Sequence, residues 1–270
     1  MAAPKVFDRE LIARRVSRRS GDDFVTRLVV SDLAERLLTV TRTFEQALIM
    51  APIADALPLE GESAKGRFAF ERVASLVGGE GIPVVDPEDL YLPRRRYDLI
   101  VSLLDLQVVN DVPGFLARAR AHLRADGLFL GATLGGDTLT ELRQAFLEAD
   151  AVVLGGAAAR VAPFVPPSES GGLIQRAGLA LPVADVETHV VRYGSPLALM
   201  RELKALGASN PLADRPDRMA TKTLIAAASA AYERIAADAD GRVRATLEIL
   251  WLSGWAPHES QQQPLKPGSA

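Results

Sequence analysis

Residues 82–137 read IPVVDPEDLYLPRRRYDLIVSLLDLQVVNDVPGFLARARAHLRADGLFLGATLGGD and carry the clearest structural pattern in the chain. An apolar run at 97–104 (YDLIVSLL) is followed by a turn, an amphipathic segment at 115–127 and a second apolar run at 128–136 (LFLGATLGG). A strand, a crossover helix and a second strand in this order predict a βαβ unit. Such a unit requires a parallel sheet with helices on its faces.

The end residues of the crossover helix predict its bounds. Asn110 or Asp111 can cap the first turn, and Gly127 is expected just after the last turn, where glycine easily adopts a positive φ. A further helix is expected after residues 128–136, with Asp137 at its start and Glu141 one turn later.

The same alternation of strands and helices extends in both directions from this unit. Further strands are predicted at 46–52, 67–71, 82–86, 181–194 and 243–255. A polar loop is expected at 58–66, and a helical turn with a glycine stop at 71–81. The pattern predicts a Rossmann-like, doubly wound α/β fold, in which ligands bind at the C-terminal ends of the strands.

Composition excludes several classes of protein. The chain has 270 residues, of which 48% are apolar and 24% charged, and its net charge of −3 gives no basic excess for nucleic-acid binding. It has no cysteine and three histidines that lie far apart, so no metal site is expected. Neither a spanning apolar run nor a secretory signal is present, and a cytoplasmic location is expected.

The first residues form a basic, amphipathic arm. Arginines are interspersed with Phe7, Leu11, Ile12 and Val16, which is typical of either a solvated helix or an arm that closes over a pocket. We expect three regions: an N-terminal helical arm (1–45), a main domain (46–256) and a polar tail (257–270).

Several motifs resemble those of class I S-adenosylmethionine (SAM)-dependent methyltransferases. Within that class, the chain is most similar to the group that contains assembly factor 5 of mitochondrial respiratory complex I, related to the malonyl-carrier-protein methyltransferase of biotin synthesis. The motifs are FDR (Phe7–Arg9), VNDVPG (Val109–Gly114), GGDTLTELR (Gly135–Arg143), GASN (Gly207–Asn210) and the ending GWAPHES at 254–260. The resemblance implies a seven-stranded sheet with an antiparallel last strand, a SAM site, and a protein client such as a complex I subunit.

The glycine-rich loop of this family is missing. Glycines after the first strand let the backbone approach SAM closely, yet the matching residues here are LIMAPIADAL (48–57), and no glycine lies between Gly21 and Gly61. Pro52 also removes a backbone N–H. The loop predicts a degenerate SAM site.

Five residues are candidates for what remains of the cofactor site. Ala51 lies in the altered loop, and Glu71 is expected at the end of the second strand, where a carboxylate can accept from ribose hydroxyls. By resemblance, Asp86 takes the place of the acid near the adenine amine. Leu104 and Asp105 follow the strand at 97–104. For Glu71, Asp86 and Asp105, a surface, turn or helix-capping role is an equal alternative.

Three residues are candidates for chemistry. Asp137 follows a strand and could act as a general base, anchor a substrate or cap a helix. Arg143 could bind an acidic group or pair on a solvated face, and His258 in the tail could be catalytic or simply solvated.

Three functions therefore remain open. The chain could be a non-methylating family member that binds a protein client or another methyltransferase-fold subunit. It could be an active SAM-dependent methyltransferase on a small molecule or a protein. It could also be a protein arginine hydroxylase, an activity that the resemblance alone implies.

Overall fold

The computed structural model describes residues 5–92 and 96–261, which form a seven-stranded sheet with helices on both faces. The strands are β1 (Ala47–Ile53), β2 (Glu60–Ser63), β3 (Gly66–Val77), β4 (Tyr97–Leu103), β5 (Leu123–Leu134), β6 (Ala180–Tyr193) and β7 (Val243–Trp255). The helices are α1 (Arg9–Val16), α2 (Phe24–Leu38), α3 (Val112–His122), α4 (Thr140–Leu154), α5 (Pro167–Arg176), α6 (Pro196–Ala205) and α7 (Lys222–Ala236).

The strand order is β2-β3-β1-β4-β5-β7-β6. Strands β3, β1, β4 and β5 are parallel, whereas β7 is antiparallel to both of its neighbours. The predicted Rossmann-like sheet with an antiparallel last strand is therefore confirmed.

Side-chain alternation along the central strands builds two cores. Leu48 and Met50 of β1 pack on one face with Phe115 of α3, whereas Ile49 packs on the opposite face with Leu33 of α2. Because successive residues of a strand point to opposite faces, an apolar run such as 47–51 fits a strand that is covered on both sides.

The connection between β1 and β3 contradicts the prediction for this region. Residues 58–66 were expected to be a loop but contain β2, which forms an antiparallel hairpin with β3. Residues 71–77 continue β3 instead of forming a helical turn. Their apolar residues, at 73, 74, 76 and 77, are spaced as in a helix, but parallel pairing with β1 places them in the sheet and overrides this local pattern.

The strand predicted at 82–86 is also wrong. Val84 forms only an isolated parallel bridge with Ala74 of β3. Before this segment, β1 leads to β3 through a 3₁₀ turn (Ala54–Ala56) and the β2 hairpin, with no α-helix between them.

The β4–α3–β5 unit is present, but its helix ends earlier than expected. Asp111 caps α3 by accepting from the Gly114 backbone N–H, and the helix ends at His122. Gly127 lies within β5, and the positive φ belongs to Asp126. The reason is that Leu123 already pairs with Tyr97 of β4, so that sheet pairing replaces the last helical turn.

No helix in the described residues is long and apolar enough to cross a lipid bilayer.

Candidate functional site at the carboxyl edge of the sheet

Parallel strands bring the C-terminal ends of β1, β3, β4 and β5 to one edge of the sheet, where this fold class binds ligands. At the end of β1, Ala51 is buried and pairs with Ala74 of β3. The register shifts between Ala51 and Ile53, and the chain stays extended at Ile53 before its 3₁₀ turn. The end of β1 is thus a strand and a short turn without glycine.

Glu71 is not at a strand end. It lies in the middle of β3, opposite Leu48 of β1, and β3 continues to Val77. The expected position, at the carboxyl edge of the sheet, is therefore wrong, because the strand continues through the residues that were predicted to be helical.

Arg9 of α1 reaches across this edge. Its guanidinium donates to the carbonyl oxygens of Ser75 and Val108, each at 3.1 Å, and lies 3.7 Å from an Asp86 carboxylate oxygen. The Arg9 side chain is 13% exposed and the Asp86 side chain 57% exposed. One arginine from the arm therefore links the end of β3, the loop at Asp86 and the loop after β4.

The arm is held in place by its backbone. The amides of Val6 and Phe7 donate to Asn110 Oδ1 at 2.8 and 2.7 Å, and Phe7 forms an isolated bridge with Leu212. Phe7 and Ile12 are buried in a small cluster with Leu212. The apolar side of the arm is therefore packed against the domain.

Asp105 is fully buried beside Arg9. The Ser75 hydroxyl donates to its Oδ1, whereas its Oδ2 has no partner among the described residues. Burial raises the pKa of Asp105 to about 7, with Ser75 and the charge of Arg9 acting in the opposite direction. Leu104, the residue before it, has a φ of +57° and turns the chain at the end of β4.

Asp137 does not cap the helix that follows it. The helix α4 begins at Thr140, and its N-cap residue is Leu139, which has a φ of +56°. The Asp137 amide instead donates to Glu248 Oε2 at 3.1 Å, while its own carboxylate is on an exposed residue. The capping alternative is therefore wrong, because two further residues separate Asp137 from the helix.

Glu248 explains the first of the two glycines before Asp137. This buried residue of β7 lies against Gly135, where a Cβ would overlap its carboxylate. Thr138 Oγ1 donates to the Glu248 carbonyl at 3.1 Å and accepts from its amide at 3.0 Å. The GGDT part of the motif therefore fastens the end of β5 to β7.

Arg143 and His258 lie apart from this centre. Arg143 donates to the carbonyl oxygens of Thr138 (3.4 Å) and Ala162 (3.2 Å), and so connects α4 to the following loop. His258 is exposed, and its Nδ1 lies 2.7 Å from the Ser260 hydroxyl. The structure brings together Asp86, Asp105 and Arg9, but it does not bring Arg143 or His258 to them.

Sequence reasoning missed three residues of this site. Arg9 was noted only as part of a basic arm, although it lies in the FDR motif. Ser75 was placed in a presumed helical turn, and Glu248 lies within an ordinary apolar strand pattern. Only Arg9 could have been found from the sequence, through its motif. The roles of Ser75 and Glu248 depend on which strands become neighbours in the sheet.

No group of three or more metal-ligating His, Cys, Asp or Glu side chains occurs in residues 5–92 and 96–261.

Similar proteins were found by sequence. The chain is 33% identical to "Arginine-hydroxylase NDUFAF5, mitochondrial" of Danio rerio, over 98% of this chain and 87% of that protein. The human protein of the same name is 34% identical, over 98% and 81% of the two chains. A malonyl-[acyl-carrier protein] O-methyltransferase of Laribacter hongkongensis is 38% identical over 75% of this chain and 63% of its own. No family model matches the chain.

A comparison with solved structures agrees with the fold. The YcgJ protein of Bacillus subtilis superposes with a TM-score of 0.50 at 13% identity, over 86% of this chain and 99% of that chain. At this level of identity the likeness concerns the fold alone.

Proposed function

This chain belongs to the family of the NDUFAF5 arginine hydroxylases, and we propose that it is a non-methylating member that binds a protein client during complex I assembly. The observation that carries this proposal is the carboxyl edge of the sheet. There the loop after β1 has no glycine, and Arg9 connects the loops and strand ends that would surround a nucleoside.

The loop after β1 supports the loss of SAM binding. A ligand that lies on a strand–helix turn uses free backbone N–H groups at the start of the helix. Here β1 is followed by a single 3₁₀ turn and not by an α-helix, Pro52 has no N–H, and Ile53 adds a branched side chain. The turn therefore lacks the helix N-terminal donors that this mode of binding needs.

Arg9 supports the same conclusion from the other side. Its guanidinium already uses the carbonyl oxygens of Ser75 and Val108 and approaches Asp86, the candidate partner of adenine. A ligand in this position would have to displace a largely buried, multiply hydrogen-bonded arginine. Hydrogen bonds to charged groups contribute about 1.5–3 kcal/mol each, which is a substantial barrier to binding.

Titration with SAM and S-adenosylhomocysteine tests the proposal. A ligand at 100 times its dissociation constant should stabilise the protein by about 2.7 kcal/mol, which a thermal-shift assay detects easily. We expect no shift at millimolar ligand, and also none for Arg9→Ala, because the loop after β1 stays unsuitable. Micromolar binding to the wild-type protein would contradict the proposal and favour an active methyltransferase.

The client is tested in cells that produce the protein. A tagged chain should co-purify with a subunit of complex I, and deletion of its gene should reduce the amount of assembled complex I. Mass spectrometry of the co-purified subunit separates the remaining alternative: an added oxygen atom on an arginine, lost in the deletion strain, would favour a hydroxylase. Normal complex I assembly in the deletion strain would contradict the proposed role in complex I assembly.

A further inference from the structure

An apolar cavity opens on the α2 face of the sheet. Its volume is about 210 Å³, and it lies between the start of α2, the helix α6 and the ends of β1, β4 and β5. The strand residues that form its floor belong to the core beneath α2, and Arg9 and Asp86 do not line it. The cavity therefore lies beside the part of the carboxyl edge that Arg9 covers, and it shares Ala51 and Leu104 with the candidate cofactor site.

Hydrocarbon side chains form nearly all of its wall. Leucines of the wall come from four elements, β4, β5, α6 and β7. The cavity is therefore a packing gap between secondary-structure elements. The main apolar residues are Phe24, Val29, Leu103, Leu199, Leu203 and Leu247.

The polar side chains of the wall already have partners inside the protein. The Tyr193 hydroxyl donates to Glu202 Oε1 at 2.8 Å, and Gln107 Oε1 accepts from the Thr133 hydroxyl at 3.0 Å. Asp23 accepts from the amide and the hydroxyl of Thr26 as the cap of α2. Among residues 5–92 and 96–261, no lysine or arginine lines the cavity.

These properties select an uncharged occupant. An anionic group would lose its hydration without gaining a counter-ion, which is strongly unfavourable, and a cation would have to draw Asp23 or Glu202 from its present partner, whereas each buried methylene group contributes about 0.8 kcal/mol. A cavity of roughly 150 Å³ already takes benzene. A volume of about 210 Å³ therefore exceeds what a single phenylalanine or leucine side chain of a client would fill.

We propose that this cavity binds the alkyl chain of a small amphiphile, with the chain inside and its head group at the mouth. The cavity is partly open, and Ala208, an exposed residue just after α6, lies on its wall. A head group can thus stay in water while the chain enters. Because the cavity shares Ala51 and Leu104 with the candidate cofactor site, this proposal rests on the proposed absence of SAM binding, which the SAM titration tests separately; it does not depend on the identity of the client.

A series of n-alkanols and n-alkanoates from six to twelve carbons, the probes for this site, is titrated by calorimetry and thermal shift. Affinity should rise roughly fourfold per methylene group, the equivalent of about 0.8 kcal/mol, and then level off when the chain fills the cavity. Binding should have a negative heat-capacity change. Alcohols and carboxylates of equal length should bind alike, because the head group lies outside.

Two matched variants locate the site. Ala208→Phe should narrow the mouth and weaken binding at least tenfold, while Ala230→Phe, on the exposed side of α7 and away from the wall, should bind as the wild type does. The melting temperature of each variant without ligand shows whether it folds. The proposal is overturned if no member of the series binds, if affinity is independent of chain length, or if the two folded variants bind equally well.

Discussion

The two halves of the parallel sheet are built differently. In the half formed by β4, α3 and β5, a crossover helix connects the strands, and its Phe115 is completely buried. In the half formed by β1, β2 and β3, a short antiparallel strand replaces the helix. In both halves the long strands pair in parallel, β1 with β3 and β4 with β5. The sheet therefore tolerates the loss of a crossover helix near its edge and keeps one in its centre.

Burial explains which half could change. Strands β4 and β5 are central and covered on both faces, so that any change there opens a cavity. Strand β3 has only the four-residue β2 outside it. The half without a crossover helix is also the half in which the family resemblance predicts the cofactor site. The missing helix and the proposed loss of SAM binding thus concern the same residues.

The largest effect is expected when a large core side chain is removed from each half and the losses in free energy of unfolding are compared. Phe115→Ala in α3 should lower the free energy of unfolding by about 3–5 kcal/mol, since Phe115 is fully buried and packs edge-to-face on Phe129. Phe68→Ala in β3 should cost about 3 kcal/mol or less, because an edge hairpin can relax into the gap. Urea denaturation measures both values. An equal or larger loss for Phe68 would mean that the hairpin half is as rigid as the centre.

Asp105 lies where the two halves meet, and it should make stability depend on pH. Because burial raises its pKa to about 7 in the folded protein, the folded protein keeps this proton at pH values where the unfolded chain, with a pKa near 3.9, has lost it. The stability contribution is thus complete below about pH 4 and declines as the pH rises to about 7. The expected loss is up to about 4 kcal/mol, at 1.36 kcal/mol per pH unit.

Asp105→Asn tests this pH dependence. The free energy of unfolding of the variant should not decline between pH 4 and 7, and at pH 8 the variant should be more stable than the wild type. Urea denaturation at several pH values measures both. The exposed Asp137→Asn serves as the control and should keep the wild-type profile. If Asp105→Asn retained the full slope between pH 4 and 7, the slope would have to come from another group.

The sequence was a good guide to the central half and a poor one to the edge half. Strand β4 was predicted almost to the residue, because an apolar run between turn residues has one simple interpretation. The run RFAFERVASLV at 67–77 was divided into a strand and a helical turn, although it forms one strand. Its pairing with β1 and with β2 decides the outcome, and such partners are not visible in a local pattern.

The candidate site shows the same limit. Asp105 was identified because it directly follows a predicted strand, and the missing glycines before Gly61 were visible in the sequence. The approach of Arg9 could not be derived in this way, since it joins Ser75 and Val108 across separations of 66 and 99 residues. Long-range contacts of this kind depend on the whole topology.

Gly135 should give a smaller effect, at the point where the central half meets β7. Gly135→Ala should lower the free energy of unfolding by about 1–3 kcal/mol, because the new methyl group must displace the buried Glu248 carboxylate. Gly156→Ala, at an exposed glycine with no atom within 4 Å of the added Cβ, is the control and should be nearly neutral. Thermal and urea denaturation of both variants make the comparison. Equal effects would show that the contact with Glu248 does not restrict this position.

The smallest effect concerns two aspartates that the sequence placed at helix starts. Asp111→Ala should cost about 1 kcal/mol, because its carboxylate accepts from the Gly114 amide and caps the crossover helix α3. Asp137→Ala should change stability by less than about 0.5 kcal/mol, since α4 begins only at Thr140 and Asp137 is exposed. Urea denaturation of both variants at pH 7 distinguishes a true cap from an apparent one. If Asp137→Ala cost as much as Asp111→Ala, its carboxylate would support α4 after all, and the capping pattern read from the sequence would hold on both sides of β5.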